Sequence, residues 1–364
     1  MAPMSVSFDI QQNPAARTDA EVAEILSAPG FGVYFTDHMV SITWTKGQGW
    51  HSATVKPYGP LSLDPSAAVL HYGQEIFEGM KAYRHPDGSV HLFRPDMNAA
   101  RFNRSAVRLM LPELPEELFV EGVRQLVEID ARYVPEAAGE HSLYIRPFMF
   151  ASEAFLGVRA AEEVTFLVIA SPVGPYFTEG VRGVDIWVTD EWARAGEGGT
   201  GNAKCGGNYA ASLIAQHEGY EHGCTQVMFI EATGKDRVEE LGGMNVFLIS
   251  ADGELVTPAL SGTILDGITR DSILKVGAEQ GLTPVERRLS AEEVLGGIAD
   301  GTFVEAFCCG TAAVISPISG FKSKKGEWRP QGQTFERTIQ IRDGVLDIQY
   351  GRAEDTFGWL SQVV

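Results

Sequence analysis

The run GEGGTGNAKCGGNYA, Gly196 to Ala210, constrains this chain most. It holds six glycines, one lysine (Lys204) and no aliphatic stretch, so it forms no core element. Glycine opens positive φ and lets backbone approach a ligand closely. A lysine in such a loop is a candidate amine nucleophile, able to form a Schiff base with a carbonyl compound. The other reading is an exposed turn with a solvated lysine, since turns are where glycine collects. Gly196, Gly198 and Gly201 also satisfy G-x-G-x-x-G, but the run continues through Asn-Ala-Lys-Cys-Gly-Gly before a helical pattern starts, which is the wrong context for a dinucleotide fingerprint. A Walker A loop needs Gly-Lys-Ser/Thr, and Lys204 stands between Ala203 and Cys205.

The length of 364 residues suggests two domains of ordinary size. A net charge of −19 repels phosphate backbones and argues against nucleic-acid binding. Cys205, Cys224, Cys308 and Cys309 form no C-x-x-C, which points to a reduced, cytoplasmic protein and no metal site. MAPMSVSFDI has neither the basic start nor the apolar stretch of a signal peptide, and no apolar run is long enough to span a bilayer.

Thr18 with Glu21 predicts a capping box for a helix through Ile25. Alternation at Val40, Ile42 and Trp44 predicts a strand, as does GWHSATVK. KAYR, the turn His-Pro-Asp-Gly and SVHLFR predict a hairpin. Asp96 is the expected N-cap of a helix ending near Pro112. Arg101, Arg104 and Arg108 share one face of it, either as a solvated stripe or with one of them near the helix start aimed at a phosphate. A helix is expected over Glu116–Tyr133, with Leu118, Val123, Leu126 and Val127 inward. HSLYIRPFMFA reads as a strand with Tyr144 and Arg146 on one face. VTFLVIAS reads as a buried strand. Ser171–Gly183, rich in proline and glycine, is the expected interdomain linker, dividing a domain over residues 1–170 from one over 184–364.

Beyond it, VDIWVTDEW predicts a strand and Tyr209–His222 a helix, with TQVMFIEA the next strand. VEELGGMNVFLIS reads as a strand broken at Gly242-Gly243. Only one of Glu239 and Glu240 can face a given site, and a buried carboxylate needs a partner. A helix starting near Thr269 offers an N-terminus suited to an anion. Ser290 with Glu293 predicts another capping box, and FVEAFCCGTAAVISP predicts strand, turn, strand.

A lysine in a glycine-rich loop, a tyrosine just beyond it, a carboxylate in a strand, an arginine and a helix N-terminus together match what pyridoxal-phosphate chemistry needs. The chain resembles the branched-chain-amino-acid aminotransferases of the class IV, D-amino-acid-transaminase-like family. FTDHM, LHYGQEIFEGMKAY, LFRPDMNAARFNRSAVRLMLP, SLYIRPF, GNAKCGGNYAAS, EELGGMNVFL and GTAAVISP carry the resemblance, in order, from about Phe31 to Ile341.

The resemblance implies an α/β (α+β) fold of two domains, the fold type IV architecture, with a smaller N-terminal domain, a larger C-terminal pseudo-barrel domain and the cofactor in the cleft between them. It implies pyridoxal 5'-phosphate held as a Schiff base to Lys204, which also shuttles the proton. Glu240 would pair with the pyridine nitrogen and Tyr209 with the ring hydroxyl. Arg101, the amides of Ile268 and Thr269, and Thr311 would hold the phosphate. Phe31, Tyr72, Phe77 and Tyr144 would line the side-chain pocket, Arg146 would take the distal carboxylate of glutamate, and Tyr72 with Thr311-Ala312 the α-carboxylate. The expected partners are small molecules (branched-chain L-amino acids, 2-oxoglutarate and glutamate), with no nucleic acid and no membrane, and the expected assembly is a homodimer. Mammalian members carry a redox-active C-x-x-C after the Gly-Thr turn. Here Ala313 and Ser316 stand in those positions, so that control is not carried over. Same-fold rivals are a D-amino-acid transaminase or an aminodeoxychorismate lyase. A rival of another class is a non-enzymatic binder of phosphate ligands.

Overall fold

The computed structural model describes residues 7–137, 139–176, 181–231, 234, 236–332 and 334–364. They form two compact units, Met1–Tyr176 with Gln349–Val364, and Phe177–Ile348.

In the first unit, alternating and apolar strands build a sheet in the order Asp9–Ile10, Gly49–Pro57, His38–Thr45, Glu163–Val173, Ser142–Ala151, Met80–Arg84, Val90–Phe93 and Leu360–Gln362. The short strand Glu75–Phe77 also pairs with Ser142–Ala151. Helices Pro95–Arg108 and Glu116–Ile129 pack near its centre, where Phe102, Phe119 and Phe166 meet with ring centroids 5.2–5.8 Å apart. All three rings are fully buried, and aromatic burial of this size is a dominant packing term. The Thr18 capping box forms as the sequence predicts.

Four boundaries differ from the sequence expectation. The helix after Phe93 is capped by Arg94 in the left-handed region (φ 52°), not by Asp96. Pro95 opens the first turn, where its fixed φ suits the helix and its missing N–H is no loss. The next helix stops at Ile129, because Asp130 turns its carboxylate to the backbone N–H and ring of His38, 2.9 and 2.8 Å away. The expected linker begins inside a strand, since Ser171–Val173 still pair with Ser142–Tyr144; residues 177–180 of it lie outside the described residues. The second domain does not run to the C-terminus. Leu360–Gln362 returns to pair with His91–Phe93 in the first unit.

The second unit holds a mixed sheet in the order Val238–Leu241, Gln226–Ile230, Val184–Thr189, Val314–Ser323, Phe303–Gly310, Asn245–Ser250, Glu254–Pro258 and Thr283–Arg287. Val238–Leu241 lies at one end of this path, yet the tight turn Gly242-Gly243 joins it to Asn245–Ser250, near the other end. The sheet therefore curls back on itself, as the pseudo-barrel expectation requires. Alternation sorts its side chains. Ile186, Val188 and Met228 join a core with Val294 and Ile298 of helix Ala291–Asp300. Trp187, Val227 and Phe229 point the other way, into a second core with Ala215 of helix Gly206–Glu221. Cys308 is a member of the first core, and burial pushes its thiol up to about 12, so it is inert packing.

Candidate active site

Helix Gly206–Glu221 begins three residues before the sequence reading placed it, so Tyr209 lies in its first turn. That start is fixed by Asn208. Its amide donates to the carbonyls of Thr200 (2.8 Å) and Ala203 (2.9 Å), and its carbonyl oxygen accepts from the Thr200 hydroxyl (2.7 Å). The helix thus grips the residue just before Lys204. The half-buried Lys204 Nζ donates to the Tyr209 hydroxyl at 2.8 Å. Behind the tyrosine lies the Gly242-Gly243 turn: a Cβ on Gly243 would come within 3.1 Å of the Tyr209 ring.

Gly201 decides how closely the lysine loop can pack. A Cβ there would collide with Thr263 Cα and with its carbonyl oxygen, both rigid backbone. Gly201→Ala is expected to lower stability by about 1–3 kcal/mol, the usual range for overpacking, as read by denaturant unfolding. A loss below roughly 0.5 kcal/mol would mean that the loops yield and the contact is not tight.

Both strand glutamates are buried. Glu240 carries the ion pair: its Oε1 lies 2.5 Å from Arg194 Nη1, and the backbone N–H of Leu265 donates to the same oxygen at 3.3 Å. Burial pushes the Glu240 carboxyl up to about 7, and the Arg194 charge opposes that rise. Glu239 is raised too, by burial first, with a hydrogen bond to Thr263 working against it.

Arg194 escaped the sequence reading. Besides Glu240, it donates to three backbone carbonyls: Gly242 (2.8 Å), Thr263 (3.3 Å) and Gly201 (3.4 Å). Nothing local marks it, because its partners lie on three separate loops. Asn245 was missed for the same reason. Its amide donates to the Leu265 carbonyl (3.1 Å), and its Oδ1 occupies the space a Cβ on Gly267 would need. It therefore sets the entry to helix Ile268–Glu279, where Gly267 as N-cap offers the first turn no side-chain oxygen. Ile268 and Thr269 open that helix, both buried. Thr311 and Ala312 sit in the turn after Gly310, whose Cβ position meets Met244 at 3.2 Å and the Gly243 carbonyl at 3.6 Å. Lys204, Tyr209, Glu240 and the two turns are thus linked by direct contacts within the second unit.

The first unit groups most of its predicted residues as well. Of the arginine stripe, Arg101 alone is buried, while Arg104 and Arg108 are exposed. Arg101 makes a bidentate pair with the fully buried Glu78, Nε–Oε1 2.8 Å and Nη2–Oε2 2.7 Å, and the Asn98 amide donates to the same carboxylate at 2.7 Å. Such a fork fixes the guanidinium plane. Arg146 donates to the Tyr144 hydroxyl (3.2 Å) and lies 4.8 Å from the Phe77 ring centre. Phe31 meets Tyr144 edge-on at 5.2 Å. Gly79 makes room for the Tyr144 hydroxyl, which fills the space a Cβ at that position would need. Tyr72 stands apart from this group. It closes the short helix Ala68–Tyr72, and its hydroxyl donates to the Leu156 carbonyl.

A lysine amine against a phenol, backed by a buried carboxylate held by a guanidinium, is equipment for working on amino and carbonyl groups. The comparisons with known proteins agree. The model of the amino-transferase class IV family matches residues 75–321. The branched-chain-amino-acid aminotransferase of Mycolicibacterium smegmatis is 51% identical over 365 residues, 99% of each chain. The probable branched-chain-amino-acid aminotransferase of Streptomyces coelicolor is 51% identical, covering 96% of this chain and 98% of its own. Among solved structures, the branched-chain amino acid aminotransferase of Escherichia coli matches with a TM-score of 0.73 at 27% identity, over 89% of this chain and 100% of that one. The branched-chain aminotransferase of Thermoproteus uzoniensis, solved with norvaline, matches with a TM-score of 0.72 at 26% identity, over 89% and 100%. The chain belongs to the class IV aminotransferase family, and within it to the branched-chain-amino-acid aminotransferases. Among the described residues no helix is long and apolar enough to cross a membrane.

Proposed function

We propose that this chain moves the amino group of L-leucine, L-isoleucine or L-valine to 2-oxoglutarate in a reversible ping-pong cycle, with pyridoxal 5'-phosphate as the carrier bound through Lys204. The observation that carries this is the Lys204–Tyr209 contact on the same framework as the Glu240–Arg194 pair. The residues fit the cofactor. Both polar partners of Glu240 fall on Oε1, and among the described residues Oε2 accepts no hydrogen bond, which suits the protonated nitrogen of a pyridine ring. When bound, pyridoxal phosphate supplies an electron sink for the bonding pair at the substrate Cα.

Lys204 Nζ would carry the proton between the substrate Cα and the cofactor C4′, the shift that transamination requires. Tyr209, whose hydroxyl already accepts from Nζ, would hold the ring hydroxyl. Glu240 would face the ring nitrogen and favour its protonated form. The Ile268 and Thr269 amides, Thr311 and Arg101 are assigned to the phosphate, since helix N-termini and guanidinium groups suit it. Phe31, Phe77 and Tyr144 are assigned to an apolar lining that takes the aliphatic side chain, and Thr311-Ala312 to the α-carboxylate; Tyr72, whose hydroxyl donates to the Leu156 carbonyl away from that group, is left out of both.

Arg146, whose guanidinium carbon lies 4.8 Å from the Phe77 ring centre and 5.4 Å from that of Tyr144, is assigned to the distal carboxylate of glutamate. Arg146→Met is expected to lower kcat/KM for glutamate about 10–100-fold, the value of a charge-assisted hydrogen bond, and to change kcat/KM for leucine by less than about 3-fold. Equal losses with both donors would remove Arg146 from that role. We also assign a homodimer, supported by the exposed apolar side chains of Leu156 and Val158; light scattering gives the mass directly.

An absorption spectrum tests the whole reading. A visible cofactor band that L-leucine bleaches and 2-oxoglutarate restores is the expected result. A protein that stays colourless after incubation with pyridoxal phosphate would overturn it. Rapid bleaching by D-alanine with slow bleaching by L-leucine would favour the D-amino-acid reading instead.

A further inference from the structure

The guanidinium of Arg194 is buried and touches four separate parts of the second unit. Nη1 lies 2.5 Å from Glu240 Oε1, and also donates to the carbonyls of Thr263 (3.3 Å) and Gly201 (3.4 Å), while Nε donates to the Gly242 carbonyl at 2.8 Å. One cation therefore ties the carboxylate to the lysine loop, to the turn behind Tyr209 and to the loop that carries Thr263. The Leu265 N–H meets the same carboxylate oxygen. Both contacts load Oε1 and leave Oε2 as the oxygen able to face a ligand.

We propose that Arg194 is a positioning residue that keeps Glu240 ionised, with Oε2 presented to the ring nitrogen of the cofactor, and so decides which of the two holds the shared proton. This rests on the cofactor assignment made above. A carboxylate neutralised at one oxygen by a guanidinium is a weaker proton acceptor at the other. The proton then stays on the ring nitrogen, where it makes the ring a strong electron sink. Without that cation a fully buried carboxyl favours its neutral form. The proton would move to Oε2 and leave a neutral pyridine. A clamp made only to hold loops would need the carbonyl contacts but not the ion pair.

The test loads wild type, R194Q and R194K with pyridoxal phosphate carrying 15N in the ring, confirms loading by the visible band, and reads the ring nitrogen by 15N NMR across pH. The wild type should give a protonated nitrogen at neutral pH. R194Q should give a neutral one, with kcat for leucine down about 100-fold, the scale of a lost proton-transfer or charge-stabilising group, and KM for leucine within about 3-fold of wild type. R194K keeps the charge but not the fork. Its ring should stay protonated at neutral pH and lose the proton at lower pH than wild type.

A loaded R194Q with the wild-type nitrogen signal and only a lower Tm would overturn the proposal and leave Arg194 as a loop clamp. If R194Q does not fold or load, R194K decides: a titration shifted to lower pH sustains the proposal, and a wild-type titration overturns it. A wild-type protein with no visible band would overturn the cofactor assignment itself, a result distinct from both.

Discussion

Lys204→Ala is expected to reduce turnover of L-leucine with 2-oxoglutarate by at least about 10⁴-fold, because one substitution removes both the nucleophile and the proton shuttle. The fold should survive. Lys204 is half-buried on a loop whose position is set by the Asn208 side chain and by Gly201 against Thr263, and none of these involves the amine. Circular dichroism should match wild type, while the visible cofactor band disappears and borohydride treatment no longer fixes the cofactor to a peptide containing residue 204. Turnover within about 10-fold of wild type would show that another group carries the proton.

Glu240→Ala is expected to give the largest loss of stability. It leaves the Arg194 guanidinium, 1% exposed, without its carboxylate, and the Leu265 N–H without an acceptor. Breaking a buried pair from one side costs about 3–5 kcal/mol, because the remaining charge is uncompensated. Scanning calorimetry should show the transition of the second unit falling by on the order of 10 °C. Glu240→Gln keeps the shape and an acceptor oxygen, so it should unfold closer to wild type, retain the cofactor and still turn over slowly. A fall of less than about 1 kcal/mol for Glu240→Ala would mean that water reaches the guanidinium and that the pair is not the buried one described here.

These two residues also mark how far the sequence could be read. Lys204 and Tyr209 are five positions apart, and the glycines around the lysine advertise a special backbone, so both residues could be singled out in the sequence, while their contact came from the structure. Local chemistry carries such features: the capping box at Thr18, the hairpin after Arg84 and the break at Gly242-Gly243 each depend on neighbours in the chain. Arg101 could be chosen from its stripe only by resemblance. Burial separates it from Arg104 and Arg108, through a carboxylate, Glu78, 23 positions earlier. The pocket residues Phe31, Phe77, Tyr144 and Arg146 were named individually from the same resemblance, and only the structure shows that four of the five named side chains cluster while Tyr72 turns its hydroxyl to Leu156.

The sequence by itself determined the family, the lysine and the strand-and-helix pattern of both units, because propensity, alternation and turn chemistry act over a few residues. The tertiary structure alone decided three things. Arg194 became the partner of Glu240, 46 positions away, with its remaining bonds to carbonyls that look identical in any sequence. Asn245 became the brace of the turn leading into the helix at Ile268. The last strand, Leu360–Gln362, went back to the first unit rather than staying with the second. Each depends on the closing of a long loop, whose entropic cost grows only slowly with length. Sequence separation therefore gives no warning of which distant groups burial will pair.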